Sequence, residues 1–339
     1  MPADSDHLVA NRAPEPSTQR EGSVSERIAA SSLNAYTWVE GNPAAALLLL
    51  TVIGTLVYFF GFVPLFVKGL FVSGVGSTAA WAWQAWTGNQ EHSRLVPFIS
   101  LGLVWYHRSK IKQAEKYGSN TGLVFVGIGI ALFLLSARCL QPRFALVSVP
   151  FLIYGSVLYL WGKQVARIVL FPCAFLIFMV PVAAIEQGTF RLQFIITGIV
   201  GFLSNLVGIK INALGTTLTA ADNSFNFEIA EGCSGIRSLF AMIMLTAIYV
   251  HLTQREIWKK IVILAFSVVF AIAGNIGRIF TVILVAKFIS PTLAAGIYHE
   301  YSGFVFFPIA LLAMLLFSKL INFNWSQAKV IPRHPIVSP

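Results

Sequence analysis

Charge is what this sequence has least of: Asp, Glu, Lys and Arg together supply only 11% of its 339 residues. A soluble chain of this size carries about a quarter charged residues, so a soluble globular domain is excluded. Cysteine is also scarce, with three in the chain, at positions 139, 173 and 233. Their spacing makes neither a CxxC pair nor a Cys/His cluster. That excludes a structural metal site and a disulfide framework, and no metal or organic cofactor is expected. No internal repeat is visible either, which leaves an inverted-repeat transporter without support. The first forty residues lack the apolar core and small-residue cleavage site of a signal peptide. Polar, and containing Pro14 and Pro16, residues 1–43 read as a disordered cytoplasmic tail.

What the chain does have is long apolar runs, with 56% of its residues hydrophobic. They lie at 44–66, 95–106, 121–137, 144–161, 168–185, 236–250, 261–285 and 304–321, with a ninth at 190–207. The expected fold is therefore an all-α polytopic membrane protein of about eight transmembrane helices over residues 44–321. A short cytoplasmic tail is expected at 322–339, with no appended soluble domain expected. The run 95–106 is shorter than the ~20 residues needed to cross a bilayer. It is expected to extend at both ends, with Arg94 and Arg108 snorkelling.

The net charge of +10 would suit nucleic acid, but its distribution argues against that partner. Basic residues gather between apolar runs: Arg108, Lys110, Lys112 and Lys116; Lys163 and Arg167; Arg255, Lys259 and Lys260. This is the positive-inside pattern, which reports topology and contact with membrane lipids, anionic ones included. With both termini cytoplasmic, residues 74–91, which have no Lys or Arg, lie outside. The turn 138–143 lies outside too and is the one violation of the bias. The run 190–207 decides the rest. If it crossed, Cys233 would become cytoplasmic and Lys259 and Lys260 would lie outside. With Arg191, Gln193, Thr197, Ser204 and Asn205, it reads instead as an interfacial or re-entrant helix.

Residues 225–229 alternate apolar and polar at period two, 216–219 are strand-like, and Asp222-Asn223-Ser224 is a turn signal. A short extracytoplasmic β-hairpin is expected there, delivering Cys233 to the next helix.

Three polar elements interrupt the apolar sequence. Glu231-Gly232-Cys233-Ser234-Gly235-Ile236-Arg237 places a thiol where an outer turn enters a helix. The positive end of the helix dipole favours a thiolate at such a position, and Gly232 and Gly235 permit close approach of backbone or substrate. Arg237 follows at helical spacing, suited either to lowering the thiol pKa and clamping a carboxylate or to snorkelling. Asn275 and Arg278 lie one turn apart inside an apolar run. An Arg at that depth costs at least ~2.5 kcal/mol on insertion scales, so it needs a duty or a partner such as Glu228, Glu231 or Glu300. His299, followed by Glu300 and Gly303, opens the last span; histidine is the usual acid/base near neutral pH. His92, beside Glu91, is a competitor on the same side. On a topology drawn from Lys and Arg alone, Cys233, Arg278 and His299 reach one face. A thiol, a guanidinium and an imidazole there suit acyl transfer.

These motifs resemble the exosortase/archaeosortase family over roughly residues 70–317. The residues that carry the likeness are Cys-Ser-Gly-Ile-Arg at 233–237, Asn275 with Arg278, and His299 with Gly303. Residues 91–100 resemble the family's first loop and second helix, with Ser93 where the family commonly has glycine. The resemblance implies a protein-sorting transpeptidase with Cys233 as nucleophile, His299 as acid/base and Arg278 as the positioning or transition-state group. Its substrates would be secreted, membrane-anchored proteins with a C-terminal signal made of a short motif such as Pro-Glu-Pro, a helix and a basic tail. Ser234 and the other motif residues would support the site, in the cytoplasmic membrane with its chemistry at the outer face. Rival classes are a transporter or channel, in which Arg278 handles an anion, a non-enzymatic assembly protein, and a cysteine acyltransferase acting on lipid.

Overall fold

The structure is a computed structural model that describes residues 43–62, 77–139, 141–181, 183–228 and 235–323. Residues 1–42 of the tail expected at 1–43 lie outside these, as do residues 229–234 and 324–339. A first unit contributes one described helix, α1 (Pro43–Val57). Everything that follows belongs to the second unit, from Tyr58 onward.

In that unit five helical stretches among the described residues are long and apolar enough to cross a membrane: Thr121–Cys139, Pro142–Met179, Ile236–Thr253, Ile257–Phe288 and Pro291–Asn322. Burial is distributed as it is in lipid. Ser136, Ser148, Thr246, Ser267 and Ser318 are buried, whereas Leu101 is 68% and Phe304 77% exposed. Small polar residues let helices approach closely, and apolar side chains face outward where the solvent is hydrocarbon. The chain is a membrane protein.

After helix α2 (Thr78–Ala85), the run 95–106 extends at both ends, though not as one continuous α-helix. Helix α3 is only Val96–Tyr106, with Pro97 in its first turn, preceded by a 3₁₀ segment, Gly88–Leu95, and followed by α4 (Arg108–Gln113). Proline suits a helix start, where its missing N–H is no loss. The flanking cations lie on aromatic faces instead: Arg94 is 4.7 Å from the Trp83 ring centroid and Arg108 is 4.6 Å from that of Trp105.

Helix α5 (Thr121–Cys139) packs along α6 (Pro142–Phe175). Two expected spans, 144–161 and 168–185, fall within and just beyond α6, which is two helical arms joined at a break at Gly162, with φ 80° and ψ −174°. A Cβ at Gly162 would collide with the Tyr117 carbonyl, so only glycine fits this bend. The bend folds the chain back on itself. Pro150, Phe151 and Tyr154 of the first arm line one apolar groove with Leu170, Cys173 and Ile177 of the second. The second arm stops at Met179, before Pro181.

The basic segments meet at one end of this bundle. Gln164 accepts from the Glu115 N–H at 3.1 Å and donates to its carboxylate at 2.8 Å. The His107 and His251 rings lie edge-on, 5.7 Å apart. At the other end Trp86 Nε1 donates to the Met179 carbonyl at 2.6 Å and Ser93 Oγ to that of Phe178 at 3.1 Å.

Helix α7 (Ala183–Leu206) contains the run 190–207. Three of the five polar residues that marked it as interfacial face the protein: Gln193, Thr197 and Ser204 are buried, whereas Arg191 and Asn205 are exposed. Phe190, Phe194 and Phe202 are outside, at 60%, 53% and 67% exposed. The helix packs on a sheet of three antiparallel strands, β1 (Ile211–Leu214), β2 (Thr217–Ala220) and β3 (Asn226–Glu228), in the order β1-β2-β3. The expected hairpin is β2–β3. The additional strand β1 has a mixed pattern, Ile-Asn-Ala-Leu, and pairs because the Gly215 turn folds it onto β2.

Helices α8 (Ile236–Thr253), α9 (Ile257–Phe288) and α10 (His299–Asn322) complete the unit. Ile196 and Val200 of α7, Leu218 and Phe225 of the sheet region, and Ile279 and Ile283 of α9 share one core. The sheet is also clamped from outside. Lys287 of α9 donates to Asp222, which accepts from the Ser224 hydroxyl at 2.6 Å and its N–H at 3.1 Å. These bonds, that from Lys287 first, hold the Asp222 carboxyl well below the usual carboxylate range. A folded pKa below the unfolded one means that the clamp contributes above about pH 4 and is lost as pH falls through the folded value. Asp222 is exposed, so the contribution is small and salt-screened. Lys287→Met is expected to speed amide exchange across residues 211–228 at neutral pH, with little further change on acidification. Exchange rates equal to wild type would rule the clamp out.

Candidate active site

Gly235 caps α8 in the left-handed conformation, with φ 74°. A Cβ there would lie 2.5 Å from the Asn275 side chain. The close approach foreseen for this glycine is thus to Asn275 of α9. The helix begins at Ile236, directly behind this left-handed residue. Gly232, Cys233 and Ser234 themselves lie outside the described residues.

Asn275 is buried, at 4% exposure, and Arg278 follows one turn later on the same helix. Arg278 Nε donates to Ser302 Oγ at 3.3 Å, and Arg278 Nη2 lies 3.5 Å from His299 Nε2. A guanidinium has no acceptor, so His299 Nε2 presents its lone pair to it. Ser302 is buried, at 3% exposure, and donates its single hydroxyl proton to the His299 carbonyl at 3.0 Å. That leaves a lone pair aimed at Arg278 and sets the guanidinium's direction. Ser302 did not stand out in the sequence. The signal that would have found it is its i+3 spacing from His299, the back-bonding register of serine in a helix.

None of the acids proposed as structural partners neutralises Arg278 among the described residues. Glu228 and Glu300 are exposed, Glu231 lies outside the described residues, and the contacts of Arg278 are a hydroxyl and an imidazole. A half-buried cation with neutral partners retains its capacity to meet an anion. Below it, Asn275, Arg278, Ser238, Gly274, Gly303 and Phe306 border a cavity of about 30 Å³, the scale of one water molecule. Gly303 therefore belongs to the same site, as does Ser238, which sequence reading passed over.

Arg237 and His92 are placed elsewhere. Arg237 is exposed. His92 stacks on Phe240 of α8, with centroids 5.5 Å apart and planes 8° from parallel. Burial, and after it the charge of Arg237, lower its pKa. The structure joins His299, not His92, to Arg278. Glu300 makes no salt bridge with Arg278. No cluster of metal-ligand type is found among the described residues.

The arrangement pairs a permanent cation with an imidazole lone pair at the junction of α9 and α10. Such a pair can hold a developing oxyanion and move a proton beside it. The family model described as transmembrane exosortase matches residues 83–316, about two thirds of the chain. No curated protein and no solved structure matches it.

Proposed function

The chain belongs to the transmembrane exosortase family, and from that premise we propose that it is a cysteine transpeptidase of the cytoplasmic membrane. Its substrates are secreted proteins held by a C-terminal signal of short motif, helix and basic tail. The observation that carries the reading is the Arg278–His299–Ser302 group, whose guanidinium has no carboxylate partner among the described residues.

His299 takes the proton of the Cys233 thiol, and the thiolate attacks the carbonyl carbon of the scissile amide. A C–S bond forms, the C–N bond breaks, and the departing nitrogen takes a proton from His299. Arg278 faces the oxyanion formed in between. An acceptor nucleophile then gives its proton to His299 and attacks the thioester. The acyl group leaves on the acceptor and Cys233 is restored. Ser302 holds Arg278 in place, Gly235 leaves room for the Asn275 side chain, and Gly303 borders the cavity beside Arg278. The test is co-expression with a protein bearing such a C-terminal signal, followed by mass spectrometry of its mature C-terminus. An intact C-terminus in the presence of the enzyme would defeat the proposal.

The site faces the extracytoplasmic side, with both termini in the cytoplasm and eight crossings, α6 supplying two. The fold supports this. Arg278 lies 21 residues along α9 from Ile257, roughly 30 Å from the basic end at helical rise and about one hydrocarbon thickness. Helix α7 both follows Met179 and leads into the sheet at the site end, so it need not cross. A single cysteine placed at Asn223 is expected to react with a membrane-impermeant thiol reagent on intact cells. Labelling only after permeabilisation would overturn the orientation.

A further inference from the structure

The two edges of the small sheet are finished differently. Ala220 N–H donates to the Phe225 carbonyl at 3.0 Å, which makes 220 and 225 a hydrogen-bonded pair. With Leu218 opposite Phe227 in the same register, the N–H and C=O groups of Phe227 point to β2. By alternation, those of Asn226 and Glu228 point away from it. The same parity turns Ile211 outward on β1. There Asn205 occupies the edge, its Oδ1 accepting from the Ile211 N–H and its Nδ2 donating to the Ile211 carbonyl, both at 3.0 Å. A side-chain amide thus stands where a neighbouring strand would be. On β3 no backbone or side-chain partner meets the outward N–H and C=O groups of Asn226 and Glu228 among the described residues. Both residues are exposed.

We propose that this open edge of β3 takes up an extended segment of the substrate polypeptide as a fourth strand. The inference rests on the transpeptidase reading and adds to it the mode of substrate recognition. Continuity argues for this occupant. Glu228 precedes Cys233 by five residues, a reach of at most about 17 Å, so a strand on β3 lies within one short segment of the attacking sulfur. Strand addition reads main chain, with side chains contributing at alternate positions. That suits an enzyme whose substrates share only a short motif. The clamp of Asp222 to Lys287 and the core shared with α9 hold the sheet against the helix that carries Arg278. The docked segment and the catalytic group therefore rest on one support.

The experiment uses the wild-type enzyme and a synthetic peptide spanning its processing site, with single amides replaced by esters around the scissile bond. Each ester removes one N–H donor and leaves the side chains unchanged. KM is expected to rise about 3- to 10-fold at alternate positions, as for one hydrogen bond lost, with kcat little changed. On the enzyme, Asn226→Pro and Glu228→Pro remove outward donors while sparing the ladder to β2. Both should raise KM. A flat ester scan with processing still dependent on Cys233 would overturn the proposal alone. Processing that does not need Cys233 would remove the transpeptidase reading and this inference with it. Glu228→Pro that dissociates a dimer without changing KM would assign the edge to a second copy of the chain, and would also overturn it.

Discussion

Cys233→Ala and Cys233→Ser are expected to abolish processing of the C-terminal signal while leaving protein level and membrane insertion intact. Loss of a covalent nucleophile in a catalytic group that acts as a unit costs on the order of 10⁶-fold, so no mature product is expected above background. Serine fails as well as alanine because a hydroxyl has no thiolate at neutral pH, and the site is built around a cation and an imidazole that favour the softer anion. Cys139→Ala and Cys173→Ala retain activity. Cys139 ends α5, exposed at a turn, and Cys173 faces the apolar groove between the arms of α6, away from any charged group that would activate it. The measurement is mass spectrometry of the substrate C-terminus with immunodetection of each variant. Full processing by Cys233→Ala would end the cysteine-enzyme reading and favour a transporter or assembly role.

Arg278→Lys is expected to lower kcat about 10²- to 10³-fold, as does removal of an oxyanion donor elsewhere. The charge survives, but the planar fork that reaches Ser302 through Nε and His299 through Nη2 does not. Ser302→Ala frees the guanidinium and is expected to have a smaller effect in the same direction, with Ser302→Thr restoring activity because the hydroxyl remains. His299→Ala loses about 10²- to 10⁴-fold, and slow resolution lets a covalent substrate adduct accumulate that is absent in Cys233→Ala. Single-turnover kinetics with trapping of the adduct separates these effects. Near-normal turnover in Arg278→Lys would refute electrostatic positioning. Normal turnover in His299→Ala with loss in His92→Ala would move the proton-transfer role to His92, although His92 stacks on Phe240 and lies in the field of Arg237.

The long helices were legible because continuous apolar runs leave the backbone of a lipid-embedded segment no other way to bond its polar groups. The β2–β3 pair was legible from its alternation and turn. Gly162 was not, because a bend confined to one residue leaves the hydropathy on both sides unchanged. Its necessity appears only when the Tyr117 carbonyl occupies the space of its missing Cβ. In α7 the polar residues were seen but their direction was not. Gln193, Thr197 and Ser204 turn toward the sheet and α9, leaving phenylalanines outside. Period alone marks two faces without saying which is covered. Strand β1 was missed for a similar reason: four residues of mixed polarity become a strand only when β2 is present to pair with them.

By itself the sequence determined that this is a membrane protein, that its basic segments share one end, and that Arg278 and His299 belong to neighbouring apolar spans. Composition and the order of charges decide those matters, since transfer into lipid acts on each segment independently. Only the tertiary structure decided that Arg278 turns to His299 and Ser302 rather than to Glu228 or Glu300, that Asn275 meets Gly235, and that His92 rests on Phe240 instead. Those contacts depend on how α8, α9 and α10 are rotated and shifted against one another. That packing is set by the sum of many small side-chain fits and by no single motif.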